Sequence, residues 1–400
     1  MGHLEALKYL TKHQRTDVFL KDVDGNTVLH IAAKEGFSHI CWLLLNAGDC
    51  SLLHIRNKHN HTPLDLAQQS TKPKPGHHEL IPFLSYLAQK NPNQKPSSPY
   101  FIWCFQLLQP GFVYTIMIVI AHLTGDQYQG IVAAASLLYI MYLLRKKTHR
   151  MKHICRWPNP MFAGMFSAGL LYSFFTYYFI LLPYTREYIF LHCLSPFLTV
   201  LQLYIYWKIL RVDPGAVRYS MAKDGNNMPY TLKDLCVPPL KVEAFCADCE
   251  IVRGPKVKHC RLCNCCYQDM DHHCLFLLKC IAKDNHAMFV WFLICCAVSL
   301  SFFLLTSLLY CNSVYSGYSL LEIGIAMLRA DVWILSLSMM NLFSLVWIIT
   351  LIRFQLIVIS QGNTTYFNKT DSVLSSTEKL LNIAYFLQGK KPFATDPFST

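Results

Sequence analysis

Eight cysteines fall within the 35 residues from Cys246 to Cys280, interleaved with three histidines. The order is Cys246-x2-Cys249, His259-Cys260-x2-Cys263, Cys265-Cys266, Asp271-His272-His273-Cys274 and Cys280. Paired Cys-x2-Cys knuckles with histidine nearby have the spacing of structural zinc, which takes four tetrahedral sulfur and nitrogen ligands. Spacing alone does not pair ligands to ions, and it leaves more candidate ligands than two sites need. A surplus thiol can serve as a nucleophile, and Cys274 is the candidate. An adjacent imidazole eases formation of the thiolate, and a carboxylate can fix that imidazole's tautomer and stabilise its charged form. Asp271, His272 and Cys274 supply all three types within four residues. The competing reading makes Cys274 one more structural thiol.

Such a constellation needs a rigid setting, and composition says what kind. The chain is 53% hydrophobic and 14% aromatic but only 15% charged, against roughly 25% charged in ordinary globular chains. Its net charge of +12 sits beside apolar runs and within the Cys/His segment, where topology signals and anionic headgroups account for it without nucleic acid. Met1–Gln14 is polar and mixed in charge, which predicts an N-terminus in the reducing cytosol. There, clustered cysteines read as metal ligands or nucleophiles rather than disulfides.

Runs long enough to cross about 30 Å of hydrocarbon are predicted near Phe101–Leu123, Tyr128–Leu144, Pro160–Pro183, Ile189–Trp207, Ala287–Tyr310 and Val332–Ile352. The loop 145–156 carries Arg145, Lys146, Lys147, Arg150, Lys152 and Arg156 and no acidic residue, which predicts a cytosolic loop. Six spans then put both termini and the segment 208–286 on the cytosolic side.

The N-terminal segment repeats itself. Asp24-Gly25-Asn26-Thr27-Val28-Leu29-His30-Ile31-Ala32 is answered by Asn60-His61-Thr62-Pro63-Leu64-Asp65-Leu66-Ala67. Both resemble the ankyrin pattern T-P-L-H-x-A, with Val28 in place of Pro and Asp65 in place of His. Gly2–Leu10 resembles the second half of a preceding repeat, so the array is expected to begin mid-unit, as in a short or N-terminally truncated form. Residues 71–100 have linker composition, with a short helix-like segment at His78–Gln89.

The run from Cys246 to Phe289 resembles the cysteine-rich domain of the DHHC protein S-acyltransferases. The resemblance rests on both knuckles, the His259-Cys260 step, the intact Asp271-His272-His273-Cys274, Cys280 and Asn285-x3-Phe289. Asp213-Pro214-Gly215 resembles the DPG motif of that family, and repeats before six spans are similar to its ankyrin-bearing, huntingtin-interacting subgroup. The resemblance implies an all-α polytopic membrane protein with six transmembrane helices, a cytosolic zinc-binding cysteine-rich domain and N-terminal ankyrin-like repeats. The implied order is repeats at 1–70, linker at 71–100, four spans at 101–210, the zinc domain at 211–286, two spans at 287–360 and a cytosolic tail at 361–400.

It further implies that Cys274 is the acylated nucleophile, His272 its general base and Asp271 the residue that orients His272. One zinc would be held by Cys246, Cys249, His259 and Cys266, the other by Cys260, Cys263, His273 and Cys280, leaving Cys265 spare. The implied acyl donor is palmitoyl-CoA, whose phosphates could meet Arg253, Lys256, Lys258 and Lys283, with Lys208 and Arg211 as further candidates. Positive-inside anchoring accounts for these cations equally well. The repeats would recruit protein substrates or adaptors, and the implied address is the Golgi or a related endomembrane. Two motifs depart from the family: Leu275-Phe276 stands where Pro-Trp is usual, and Thr364-Thr365-Tyr366-Phe367 lacks the glutamate of T-T-x-E. These departures favour a catalytically weak or inactive membrane scaffold as the alternative function. A channel is disfavoured, because the spans hold almost no ionisable residue.

Overall fold

The computed structural model describes residues 17–70, 74–96, 100–124, 158–223, 226–231, 244–368 and 374–390, with a few isolated positions elsewhere. The expected second span (Tyr128–Leu144), the basic loop 145–156 and most of Gly2–Leu10 lie outside the described residues. Two compact units are present, one of Met1–Trp103, Lys146–Pro158 and Arg218–Gly254, the other of Cys104–Arg145, Asn159–Val217 and Pro255–Thr400.

In the first unit, two helix pairs follow one another: α1 (Val28–Lys34) with α2 (Ser38–Ala47), then α3 (Pro63–Gln68) with α4 (Pro75–Ala88). Leu29, Leu44, Leu45, Leu52, Leu80, Leu84 and Leu87 are fully buried in one core. The two imperfect ankyrin matches explain each other here. Thr27 Oγ1 lies 2.9 Å from His30 Nδ1, and His30 Nε2 reaches the His61 carbonyl of the following repeat at 3.2 Å. In the second repeat Asp65 takes over the capping: its Oδ2 accepts from both the Thr62 amide and the Thr62 hydroxyl at 2.8 Å. Both close the first helical turn by a capping box. Gly36 turns the chain between α1 and α2 at φ +71, where a Cβ would lie 2.5 Å from His77 Nδ1. Within the stretch 71–100, the helix-like segment expected at His78–Gln89 is α4, which begins earlier, at Pro75. Its apolar residues at 80, 84 and 87 follow the helical period and place it in the repeat core.

The second unit contains four helices long and apolar enough to cross a membrane: α6 (Met161–Thr176, continued to Tyr184), α7 (Ile189–Arg211), α8 (His286–Val314) and α10 (Val332–Ser360). They cover the expected third to sixth spans. The expected first span is helical as α5 (Tyr100–Thr124). An amphipathic helix, α9 (Leu320–Ala330), joins α8 to α10. A final helix, α11 (Ser376–Leu387), docks on them: Trp291 Nε1 donates to the Leu387 carbonyl at 3.1 Å and Asn382 Nδ2 to the Ser360 carbonyl at 2.9 Å.

The all-α expectation does not extend to the cysteine-rich segment, which folds as short antiparallel strands. The second unit holds β1 (Ala216–Val217), β6 (Val257–Cys260), β7 (Cys265–Gln268), β8 (His272–Cys274) and β9 (Lys279–Ile281). The first unit holds β2 (Ala222–Lys223), β3 (Asn226–Pro229), β4 (Phe245–Cys246) and β5 (Ile251–Val252). β4 pairs with β5, β6 with β7 and β8 with β9. Cysteine and histidine at two-residue steps carry too little apolar surface to mark a strand by period, so nothing in the sequence pattern announced them.

Candidate active site

The three hairpins share a local design. Cys246-x2-Cys249 is followed by Glu250 at φ +59, and Cys260-x2-Cys263 by Asn264 at φ +52. Cys274-x2-Leu277 is followed by Leu278 at φ +51. Left-handed backbone is costly for a non-glycine residue, so three occurrences at one offset mark a common turn. In the third hairpin a leucine occupies the position of the second ligand. Cys274 thus stands on a knuckle with no partner thiol.

Strand alternation then separates the two adjacent histidines. In β8–β9, His273 pairs with Cys280, His272 with Ile281 and Cys274 with Lys279. Successive side chains on a strand point to opposite faces, so His272 and Cys274 share one face while His273 takes the other.

On the His273 face, Nδ1 lies 3.3 Å from Cys263 Sγ and 3.6 Å from the sulfurs of both Cys260 and Cys280, while Cys263 and Cys280 are 3.5 Å apart. A tetrahedral zinc with bond lengths near 2.0–2.3 Å requires ligand separations of about 3.5–3.8 Å, so this donor set fits the ion. Two groups of four could hold metal ions: Cys260, Cys263, His273 and Cys280, and Cys246, Cys249, His259 and Cys266. In the second group, His259 and Cys266 face each other across β6–β7, with Nδ1 and Sγ 3.8 Å apart. That register explains why Cys266 rather than Cys265 is the ligand-type residue. Cys246 and Cys249 sit on the β4–β5 knuckle. Cys274 belongs to neither group.

On the opposite face, Asp271 is 2% exposed and its carboxylate is saturated with donors. Oδ2 accepts from His272 Nδ1 at 2.7 Å and from Gln355 Nε2 at 3.0 Å, and Oδ1 accepts from the Thr365 amide at 2.6 Å. Burial alone would raise this carboxyl. The His272 hydrogen bond, the neighbouring imidazoles and the Thr365 amide outweigh it and hold Asp271 well below the usual carboxylate range. For His272, burial favours the neutral ring, but the hydrogen bond to Asp271 and the neighbouring Cys274 side chain push it up to about 9. The structure therefore hydrogen-bonds the expected carboxylate to the expected imidazole and sets that imidazole and the Cys274 thiol on one face of β8. His272 also packs edge-on against Phe289, with ring centroids 5.2 Å apart.

Cys274 is 6% exposed and packs with Ile209, Leu277, Phe289, Phe292, Leu293 and Cys296. The thiol thus adjoins apolar side chains of α7 and α8. Lys279, opposite Cys274, donates from Nζ to the Leu210 carbonyl at 2.8 Å and to the Val212 carbonyl, which ties the hairpin to the end of α7. Asp213 Oδ1 accepts from the amides of Gly215 and Ala216 at 3.0 and 2.8 Å, so the Asp-Pro-Gly motif folds the chain from α7 into β1. Asn285 Nδ2 donates to the Cys280 carbonyl at 3.0 Å and Asn285 Oδ1 accepts from the Ala282 amide at 2.8 Å, fixing β9 to the start of α8.

The two departures also have places. Phe276 packs edge-on against Phe162 of α6, with centroids 5.5 Å apart. Phe367, where the motif's glutamate would stand, packs against the cluster of Cys260, Tyr267, Met270 and Cys280. Thr364 still donates to the Met270 carbonyl at 3.0 Å and Thr365 still contacts Asp271. Of the candidate phosphate contacts, Lys258 lies over the Tyr366 ring, Lys208 over Tyr204 and Arg211 over Trp207; Arg253 belongs to the first unit and Lys256 and Lys283 to the second. Gln355, His286 and Thr365 around Asp271 were not anticipated. The available signal was a histidine and a glutamine near the ends of two otherwise apolar spans, where a polar group needs a partner.

Residues 241–371 match the family model described as DHHC palmitoyltransferase. The chain carries a DHHC palmitoyltransferase domain. Residues 1–95 match ankyrin repeats in three copies, which extends the repeat region beyond residue 70 and agrees with α4 being part of its core. The chain is 24% identical over 368 residues to human Palmitoyltransferase ZDHHC13, covering 89% of this chain and 56% of that one. It is 29% identical over 224 residues to Palmitoyltransferase akr1 of Emericella nidulans, covering 52% of this chain and 29% of that one. A 102-residue stretch is 37% identical to mouse Palmitoyltransferase ZDHHC23, covering 20% and 22% of the two. The chain therefore spans little more than half the length of the relatives it matches at most. With four helices able to cross a bilayer beside the DHHC domain, it is a membrane protein.

Proposed function

We propose that this chain is a protein S-acyltransferase that moves a long-chain fatty acyl group, such as palmitoyl, from acyl-CoA to protein cysteines through Cys274. The observation that carries the reading is that Asp271 hydrogen-bonds His272, that His272 and Cys274 share one face of β8, and that Cys274 lies outside both groups of metal-ligating residues. His272 takes the Cys274 proton, the sulfur attacks the thioester carbonyl, and the C–S bond to CoA breaks as the CoA sulfur is protonated. A substrate thiol then attacks the acyl-Cys274 thioester, and the Cys274 sulfur leaves. The apolar neighbours of Cys274 on α7 and α8 support an acyl chain lying among the spans.

Zinc held by Cys260, Cys263, His273 and Cys280, and by Cys246, Cys249, His259 and Cys266, would supply cross-links that small hairpins without an apolar core need. The proposed arrangement has six spans, with both termini and the zinc domain at 211–286 cytosolic. Ankyrin repeats recruit protein substrates or adaptors, and the Golgi or a related endomembrane is the address the family resemblance supports. The second unit's cations Lys256, Lys258 and Lys283 are proposed to meet the CoA phosphates.

The test is labelling of the purified chain with an alkyne analogue of palmitoyl-CoA. Hydroxylamine-sensitive label on the native chain that is lost in Cys274→Ser supports the reading. Equal label on both, or none on either, overturns it.

A further inference from the structure

Gln355 lies near the end of α10, is 1% exposed and has every side-chain polar atom engaged. Its Nε2 donates to Asp271 Oδ2 at 3.0 Å and to Thr365 Oγ1 at 3.2 Å, and its Oε1 accepts from His286 Nε2 at 2.8 Å. His286, the first residue of α8, also places Nε2 3.7 Å from Asp271 Oδ1. An amide can arrange two donors and one acceptor in this way only if His286 is protonated on Nε2 and Asp271 is an acceptor. The network is therefore directional: from α8 through His286 to Gln355 on α10, and from there to the carboxylate that holds His272.

We infer that Gln355, backed by His286, is a positioning residue for the acyl-transfer step, setting the orientation of Asp271 and through it the ring of His272. The inference rests on the acyltransferase reading and adds a positioning contact carried by a membrane span. Its physical basis is burial. A carboxylate out of water keeps one geometry only if its lone pairs are all matched, and Gln355 supplies the match opposite His272 on the same oxygen. Without it, Oδ2 can swing toward other donors and carry the imidazole away from Cys274. Misplacement of a catalytic group by an ångström is enough to cost a large factor in rate. The arrangement also couples the α8–α10 contact to the site, because each helix contributes one member of the His286–Gln355 pair.

The experiment measures acyl-enzyme formation on the full chain, in lipid nanodiscs, over a range of palmitoyl-CoA concentrations. Gln355→Met keeps the side-chain length and removes the hydrogen bonds. It is expected to lower the saturating rate by about tenfold while the half-saturating concentration stays within about twofold, because acyl-CoA does not touch this residue. Gln355→Glu, which sets a second acid against Asp271, is expected to lose more. Should Gln355→Met fail to fold, judged by zinc content and a monodisperse elution, Gln355→Asn serves instead: it keeps the amide but falls one carbon–carbon bond short, and a rate loss of about fivefold is expected. A folded variant with the native saturating rate, or with only its half-saturation moved, overturns the positioning role while leaving the acyltransferase reading intact. Absence of label on the native chain overturns both.

Discussion

His272 and His273 are consecutive in the chain and serve opposite faces of one strand. His272 Nδ1 lies 2.7 Å from Asp271 Oδ2, and His273 Nδ1 lies 3.3 Å from Cys263 Sγ. One face carries the Asp271–His272 hydrogen bond and Cys274, and the other belongs to a group of four residues that could hold a metal ion.

Substituting the two histidines should therefore give different losses. His272→Ala is expected to keep its zinc and to lower acyl-enzyme formation about a hundredfold, the usual contribution of a general base. His273→Ala is expected to bind about one zinc fewer per chain, read by elemental analysis, because one of four ligands is missing from its group. Equal zinc in both variants would contradict the assignment.

Chelation should unfold the hairpins and spare the helices. Their strands run two to four residues each, too short to stand without cross-links. After treatment with a strong zinc chelator, limited proteolysis is expected to cut between residues 244 and 285, while helical circular dichroism changes little.

Phe367→Glu restores the acid of the family motif in a site built for an apolar ring. Phe367 packs against the cluster that includes Cys260, Met270 and Cys280, so an anion there would lie near sulfurs of the proposed zinc group. The expected result is destabilisation of about 1–3 kcal/mol, seen as faster zinc loss to a chelator, with no gain in labelling.

Gly215 sits at φ +100, and a Cβ on it would lie 3.1 Å from Asp284 Oδ2. Its carbonyl accepts from the Gln268 amide at 3.1 Å, and the Pro214 carbonyl accepts from the Asp284 amide at 3.2 Å. Gly215→Ala is expected to cost about 1–3 kcal/mol in backbone strain and to lower the thermal unfolding midpoint measured by tryptophan fluorescence.

In the ankyrin unit, Leu84→Ala should lower stability by about 2–5 kcal/mol, the cost of a large-to-small change in a closed core. Leu84 is fully buried. Faster proteolysis within residues 17–96, with acyl-enzyme formation at Cys274 unchanged, is the expected readout.

Much of this was legible from residue types alone. The spans at 161–184, 189–211, 286–314 and 332–360 declared themselves because lipid selects composition over a length no soluble core requires. The repeats showed through Thr27 and Thr62 because a helix start needs a cap whatever surrounds it. The helix at Pro75–Ala88 showed as the helix-like segment His78–Gln89, but its place in the repeat core did not, because linker composition surrounds it. The Cys-x2-Cys pairs named zinc because four-coordinate geometry restricts ligand spacing.

The amino-acid sequence by itself determined the chemistry available here: thiols in excess of two zinc sites, an imidazole and a carboxylate beside one of them, and apolar segments to hold them at a bilayer. Those are properties of side chains and local spacing, and they survive any fold that keeps the segment together. Only the tertiary structure decided that Cys274 is the thiol left out, that His272 and His273 part company, and that Gln355 and Thr365 meet Asp271 from 84 and 94 residues away. Strand register sorts neighbours onto opposite faces, and helix packing brings distant polar groups to one buried carboxylate. Neither is written in the spacing of the residues concerned.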